Sequence, residues 1–174
     1  MTAKTDNKAA KTRKKTMAEN GPAIDALAGP RVEPKRDILN IGVIGYGYWG
    51  PNLVRNFSEL SDARVHTVAD LNPKSLEVVK KRYPATNVTT DAQAMIRDPE
   101  IDAVAIATPV STHFSLAMAA LKAGKHVWLE KPMTETSMQA RALIEEANKR
   151  GLTLHVDHTF VYTGPVKKMR EMVQ

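Results

Sequence analysis

From residue 38 onward, short apolar runs alternate with segments whose apolar residues recur every three or four positions. The runs at 39–44, 65–69, 87–90, 103–107, 126–129 and 153–156 read as strands, and 51–60, 73–82, 92–97, 112–123 and 137–150 read as helices. In the fourth of these helices, Phe114, Ala117, Met118 and Leu121 fall at i, i+3, i+4 and i+7. Pro73 suits a first helical turn, and Gly124 and Gly151 suit positions just past a helix end. Regular alternation of this kind predicts an α/β fold, a parallel sheet with helices on both faces. A further amphipathic helix begins at Pro165 and carries Val166, Met169, Met172 and Val173. That pattern is unfinished at Gln174, which predicts a crossover into a second domain.

Residues 1–37 break the pattern. Lys4, Lys8, Lys11, Arg13, Lys14 and Lys15 are balanced only by Asp6, and the stretch 1–16 has no aromatic and no apolar period. It is predicted to be a disordered basic tail, followed by a linker marked by Gly21-Pro22, Gly29-Pro30 and Pro34. The tail accounts for most of the net charge of +6, since residues 1–40 hold nine basic and five acidic side chains. It is expected to contribute little to folding. Contact with nucleic acid through residues 4–15 is conceivable on charge, but no nucleic-acid module accompanies it, so a solvated extension is the plainer reading. With no cysteine in 174 residues, there is no disulfide framework and no thiolate metal site or nucleophile. No apolar run is long enough to span a membrane, and no signal-peptide core is visible. A cytoplasmic location is the default expectation.

Chemistry enters with Gly45-Tyr46-Gly47-Tyr48-Trp49-Gly50, a G-x-G-x-x-G between the strand pattern Ile41-Gly42-Val43-Ile44 and a helix carrying Leu53, Val54 and Phe57. Strand, glycine turn and helix form the context of a dinucleotide fingerprint. Gly45 permits a tight turn, Gly47 lets backbone approach a pyrophosphate at the positive end of the helix, and Gly50 lets that helix pack closely on the strand. Asp70 stands 20 residues beyond Gly50, at the end of the second strand, where its carboxylate suits the hydroxyls of an adenosine ribose. A free ribose beside a carboxylate predicts NAD in preference to NADP, although Lys74 lies nearby and leaves NADP possible.

Ligands of open parallel sheets bind outside the carboxyl ends of the strands. Here five such ends carry polar or special residues: Gly45; Asp70; Thr108-Pro109 followed by Ser111, Thr112 and His113; Glu130-Lys131-Pro132; and Asp157-His158. The strand interiors are apolar, so one rim is predicted to hold one cleft. Lys131 beside an oxidised nicotinamide would feel a positive neighbour, which makes it a readier proton acceptor. On residue types alone, the plainer reading pairs Lys131 with Glu130 and lets Pro132 stop the strand. His113 suits a helix cap or a ribose contact, and His158 either faces a substrate or bonds locally. His66, His126 and His155 lie in or beside strands and read as structural, and no histidine has metal-ligating spacing.

Taken together, these motifs resemble the N-terminal half of the Gfo/Idh/MocA oxidoreductases. The likeness rests on 41–57, 68–71, 98–113, 120–132 and 156–168, above all on Ala107-Thr108-Pro109 with His113 and on the run Ala123 to Pro132. The resemblance implies a Rossmann-type, doubly wound parallel sheet over 38–164. It also implies hydride transfer between NAD(P) and a carbinol carbon of a sugar, sugar nucleotide or polyol, in a two-domain enzyme that is commonly oligomeric. By the same likeness the Gly45–Gly50 turn, including Tyr46, Tyr48 and Trp49, approaches the pyrophosphate, and Asp70 holds the ribose. Thr108, Pro109 and His113 line the cofactor cleft, Glu130 and Lys131 lie near the nicotinamide ribose, and Lys131 is the catalytic candidate. In many relatives the bond before the equivalent of Pro132 is cis. The substrate domain of the family has no counterpart in residues 38–174, so the chain alone is expected to bind cofactor better than it turns over substrate. A non-catalytic NAD-binding module remains an open alternative.

Overall fold

The structure, a computed structural model, describes residues 37–173; the basic tail lies outside the described residues. Six strands form one sheet: β1 (Leu39–Ile44), β2 (Ala63–Ala69), β3 (Asn87–Thr89), β4 (Ala103–Ile106), β5 (His126–Glu130) and β6 (Leu154–Asp157). All pairings are parallel, in the order β3-β2-β1-β4-β5-β6. That order reverses direction between β1 and β4, and the reversal opens a crevice at their carboxyl ends. The connecting helices are α1 (Gly50–Ser58), α2 (Pro73–Arg82), α3 (Ala92–Arg97), α4 (Val110–Lys122) and α5 (Ser137–Arg150). A 3-10 turn (Thr159–Tyr162) and α6 (Gly164–Val173) follow β6.

Alternation along the strands feeds two cores. Val43 and Ala105 face α1 and α2, packing with Leu53, Val54, Leu76 and Val79. Ile44, Val104 and Ile106 face the other side, against Ile96, Ala117, Leu121 and Leu143 from α3, α4 and α5. The sheet is therefore covered on both faces, as parallel sheets require.

Helix ends follow local chemistry. The side chains of Asn72, Asp91 and Thr136 accept backbone N–H bonds at the starts of α2, α3 and α5. Gly151 ends α5 in the left-handed region at φ 66°. Several boundaries differ from the sequence expectation by one or two residues, and two of the shifts have clear physical reasons. β2 starts at Ala63 rather than residue 65 because Ala63 pairs with Leu39, and a register shift between Ile41 and Gly42 takes up an extra β2 residue. α4 starts at Val110 rather than 112, since Pro109 (φ −58°) precedes it directly.

The glycine turn is set by close approach. A side chain at Gly50 would lie 2.1 Å from the Gly45 carbonyl oxygen, so α1 reaches β1 only because that position is bare. Gly45 itself has φ 93° and passes 2.6 Å, measured from its would-be Cβ, from the Ala107 carbonyl at the end of β4.

The amino-end rim of the sheet is closed by buried polar groups. Asn40 is fully buried, donating to the Glu100 carbonyl (2.6 Å) and accepting from Arg64 Nε (2.6 Å). Its backbone N–H donates to the Asp102 carboxylate. Lys125, only 6% exposed, donates to the carbonyls of Asp98 and Ile101, each at 2.6 Å. This lysine belongs to the distinctive run before Lys131, yet its work is to staple the β4 entry to the β5 entry. Replacing it with methionine keeps the stem and removes both bonds, leaving the Asp98 carbonyl its bond from the Ile101 N–H. Lys125→Met is expected to lower stability by about 2 kcal/mol, read by denaturant unfolding. An unchanged midpoint would show that these bonds carry no net stabilisation.

Candidate functional site

The opposite, carboxyl-end rim is different in kind. A cavity opens there between the glycine turn, Asp70-Leu71, Thr90 and Thr108-Pro109. Gly47 is exposed at its mouth, with nothing within 4 Å of where a side chain would begin. No side chain caps the first turn of α1, which follows directly. The turn therefore offers open backbone and a positive helix end to an anionic group.

Asp70 is partly buried and rigidly held. One carboxylate oxygen accepts the Tyr46 N–H at 2.6 Å, and the other accepts the Asn72 N–H at 2.7 Å. The carboxylate thus ties the glycine turn to the end of β2. A carboxylate has about four acceptor positions, so others remain for a ligand.

The remaining turn residues divide. Tyr46 points away from the cavity: its ring is 6% exposed and packs with Leu53, Val54 and Leu76, and burial raises its phenol above the usual tyrosine range. Only its backbone faces the cleft. Tyr48 and Trp49 are exposed and meet edge to face at 5.5 Å between centroids.

At the β4 end, Thr108 Oγ1 and Thr112 Oγ1 are hydrogen-bonded at 2.7 Å, and Thr112 Oγ1 also donates to the Pro109 carbonyl. His113 does not line the cavity as the resemblance implied. It is 1% exposed, with Nε2 2.9 Å from the Thr108 carbonyl and Nδ1 3.0 Å from the Pro132 carbonyl. Its ring is consumed in joining two loops beneath the rim.

At the β5 end, the Lys131–Pro132 bond is cis. Lys131 is exposed and borders a largely apolar hollow with Pro132, Asp157, His158, Thr159 and Phe160. Glu130 lies directly opposite Asp157 in the register of β5 and β6, only 5% exposed, with Oε1 lacking a hydrogen-bond partner. Burial raises its carboxyl above the usual glutamate range, and the Asp157 charge adds to this, while Lys131 opposes it. The structure thus brings the glycine turn, Asp70 and Thr108-Pro109 to one cavity, and places Glu130 and Lys131 further along the same rim.

Two contributors escaped the sequence reading. Thr90 lines the cavity from just beyond β3, the one strand end not counted there, although the strand-end rule applies to it equally. Asn72 caps α2 with its side chain, and its backbone N–H fixes Asp70, a role that needs the folded turn. Three other histidines have partners: His126 Nδ1 accepts the Thr153 N–H, His155 packs on Trp128 at 4.2 Å between ring centroids, and His66 Nδ1 lies 2.9 Å from Thr67 Oγ1. Burial lowers the His126 pKa, with Asp102 opposing. Among the described residues, no group of three or more His, Cys, Asp or Glu is placed to hold a metal. None of the described helices is long and apolar enough to cross a membrane.

Comparison with known proteins agrees with this geometry. Residues 39–158 match the oxidoreductase family with an NAD-binding Rossmann fold, GFO_IDH_MocA. The scyllo-inositol 2-dehydrogenase (NADP(+)) of Bacillus subtilis is 32% identical over 135 residues, covering 78% of this chain and 36% of that enzyme. The myo-inositol 2-dehydrogenase of Thermotoga maritima is 30% identical over 136 residues, covering 78% of this chain and 41% of that enzyme. Among solved structures, the biliverdin reductase of Synechocystis sp. PCC 6803, in complex with biliverdin and NADP+, superposes with a TM-score of 0.74 at 30% identity. That match covers 78% of this chain and 42% of the reductase. This chain therefore spans about two fifths of the length of these relatives. By fold, motif and sequence, it belongs to the Gfo/Idh/MocA oxidoreductase family and comprises that family's NAD(P)-binding Rossmann domain.

Proposed function

We propose that this domain is the cofactor half of a two-domain dehydrogenase acting on a sugar, sugar nucleotide or polyol carbinol. The observation that carries the reading is the open Gly47 backbone at the uncapped start of α1, tied through Tyr46 N–H to Asp70. A pyrophosphate needs that combination of unobstructed backbone and helix dipole, and the adenosine ribose needs an oriented carboxylate. The polyol substrates named for the two inositol dehydrogenases support the substrate class. NAD(P), when bound, exchanges a hydride with the substrate carbon.

The chain's own residues then have separate tasks. Gly45, Gly47 and Gly50 admit the pyrophosphate, and Asp70 accepts from the ribose hydroxyls. The negative charge of Asp70 repels a 2′-phosphate, so NAD is preferred to NADP even though one relative's name carries NADP and one related structure holds NADP+. Lys131, exposed at the hollow, orients the substrate hydroxyl and takes up its proton as hydride leaves carbon. Burial and the Asp157 charge raise the neighbouring Glu130 carboxyl above the usual glutamate range, with Lys131 opposing. The second domain supplies most of the substrate positioning, and a misplacement of about 1 Å costs roughly a hundredfold in rate. The isolated chain is therefore expected to bind cofactor with little turnover.

Calorimetric titration is expected to give tighter binding of NAD than of NADP. Gly47→Ala should leave thermal unfolding unchanged, because the added methyl meets nothing, yet weaken NAD about tenfold or more by blocking the pyrophosphate. Tighter NADP binding, or unaltered NAD affinity in Gly47→Ala, would contradict the assignment. In a two-domain version, Lys131→Met should lower kcat by about a hundredfold or more while NAD affinity stays within about twofold. An undiminished rate would remove Lys131 from the chemistry.

Glu130 generates a pH-dependent expectation. Its folded pKa lies above its unfolded value, so the folded state binds the proton first as pH falls. Its contribution to stability therefore rises as pH falls through the folded pKa toward about 4.3. At pH 8 the buried charge is unfavourable, and Glu130→Gln should raise the unfolding temperature by roughly 3 °C, about 1 kcal/mol. The advantage should shrink toward pH 5. A variant less stable than the parent at pH 8 would show that ionised Glu130 is well compensated.

A further inference from the structure

His113 is a buried titratable side chain of the rim that the proposed chemistry leaves without a task. It sits in the first turn of α4, and both of its ring nitrogens meet backbone carbonyls. Carbonyls only accept, so the ring must donate: a neutral imidazole serves one of them, and an imidazolium serves both. The two partners belong to different parts of the rim. Thr108 lines the cavity of the glycine turn, and its Cγ2 lies 3.1 Å from where a Gly45 side chain would begin. Pro132 follows Lys131 and lines the second, apolar hollow. The bonds to Thr112 fix the Thr108-Pro109 loop to the same helical turn that carries His113.

We infer that His113 is a positioning residue that sets the spacing between the glycine turn and Lys131, without itself touching cofactor. One rigid ring, 1% exposed, spans the gap between the two loops, with a ring nitrogen within 3.0 Å of a main-chain carbonyl of each. This inference rests on the cofactor reading above. A ligand that reaches only the first cavity is indifferent to that spacing. A ligand that must reach both the glycine turn and the Lys131 end depends on it.

ADP and NAD separate the two cases. ADP carries the adenosine and diphosphate alone, and NAD extends to the nicotinamide. The test titrates both into the 174-residue chain and its His113→Ala variant, with thermal unfolding of each. His113→Ala is expected to weaken NAD about tenfold, the order of one hydrogen bond, and to change ADP by no more than about twofold. His113→Asn places an amide near the Nδ1 position and His113→Gln near Nε2, so each can keep one of the two ties. Both should fall between wild type and alanine for NAD, and they carry the comparison if the alanine variant does not fold. Equal weakening of ADP and NAD in all three variants would make His113 merely structural and overturn the inference, as would unaltered NAD affinity. Binding of ADP but not NAD by the wild-type chain would overturn it too. Failure of the wild type to bind either ligand would instead overturn the cofactor reading beneath it.

Discussion

Parallel strands cannot be joined by tight turns, so each connection in this sheet is a crossover, and each strand ends on the same rim. That constraint gathers Gly45, Asp70, Thr90, Thr108, Glu130 and Asp157 from positions far apart in sequence. It also gives the two rims different fates. At the amino-end rim, Asn40 and Lys125 are spent on backbone carbonyls, and that edge is chemically satisfied. At the carboxyl-end rim, Gly47 is bare, α1 is uncapped and Glu130 Oε1 is buried without a partner. Open backbone, an uncapped helix start and an unpartnered buried carboxylate oxygen on one rim are physical marks of a binding site.

Within that rim, order comes from main-chain contacts more than from side chains facing the cleft. Asp70 bridges the Tyr46 and Asn72 amides, Gly50 lets α1 press on the Gly45 carbonyl, and His113 joins the Thr108 and Pro132 carbonyls. Each link connects the end of one strand to the loop after another. The cavity is held open by these ties, so its shape is largely preset before a ligand arrives, which limits the ordering cost of binding.

Much of this was legible in the sequence because it depends on local rules. Apolar runs and helical periods marked all six strands and the helices after them, and the glycine spacing with Asp70 marked the cavity. Strand order was not legible, since it depends on which strands pair across crossovers. Side-chain direction was not legible at two positions for the same reason. Tyr46 lies inside the glycine motif but turns its ring into the core under α1 and α2. His113 looks like a cleft residue by position and becomes a buried link only when the ends of β4 and β5 lie side by side. The place of Lys125 is equally a product of the fold, since the carbonyls of Asp98 and Ile101 reach it only when the β4 and β5 entries lie side by side.

The central claim is that a dinucleotide lies along the carboxyl-end rim and nowhere else. Amide chemical-shift mapping of the 15N-labelled chain during titration with NAD tests this directly. The expected result is a contiguous set of shifted amides at Gly45–Gly50, Asp70-Leu71, Thr108 and Glu130-Lys131, with Asn40 and Lys125 unmoved. Shifts centred on the amino-end rim, or no saturable shifts at the glycine turn, would contradict it.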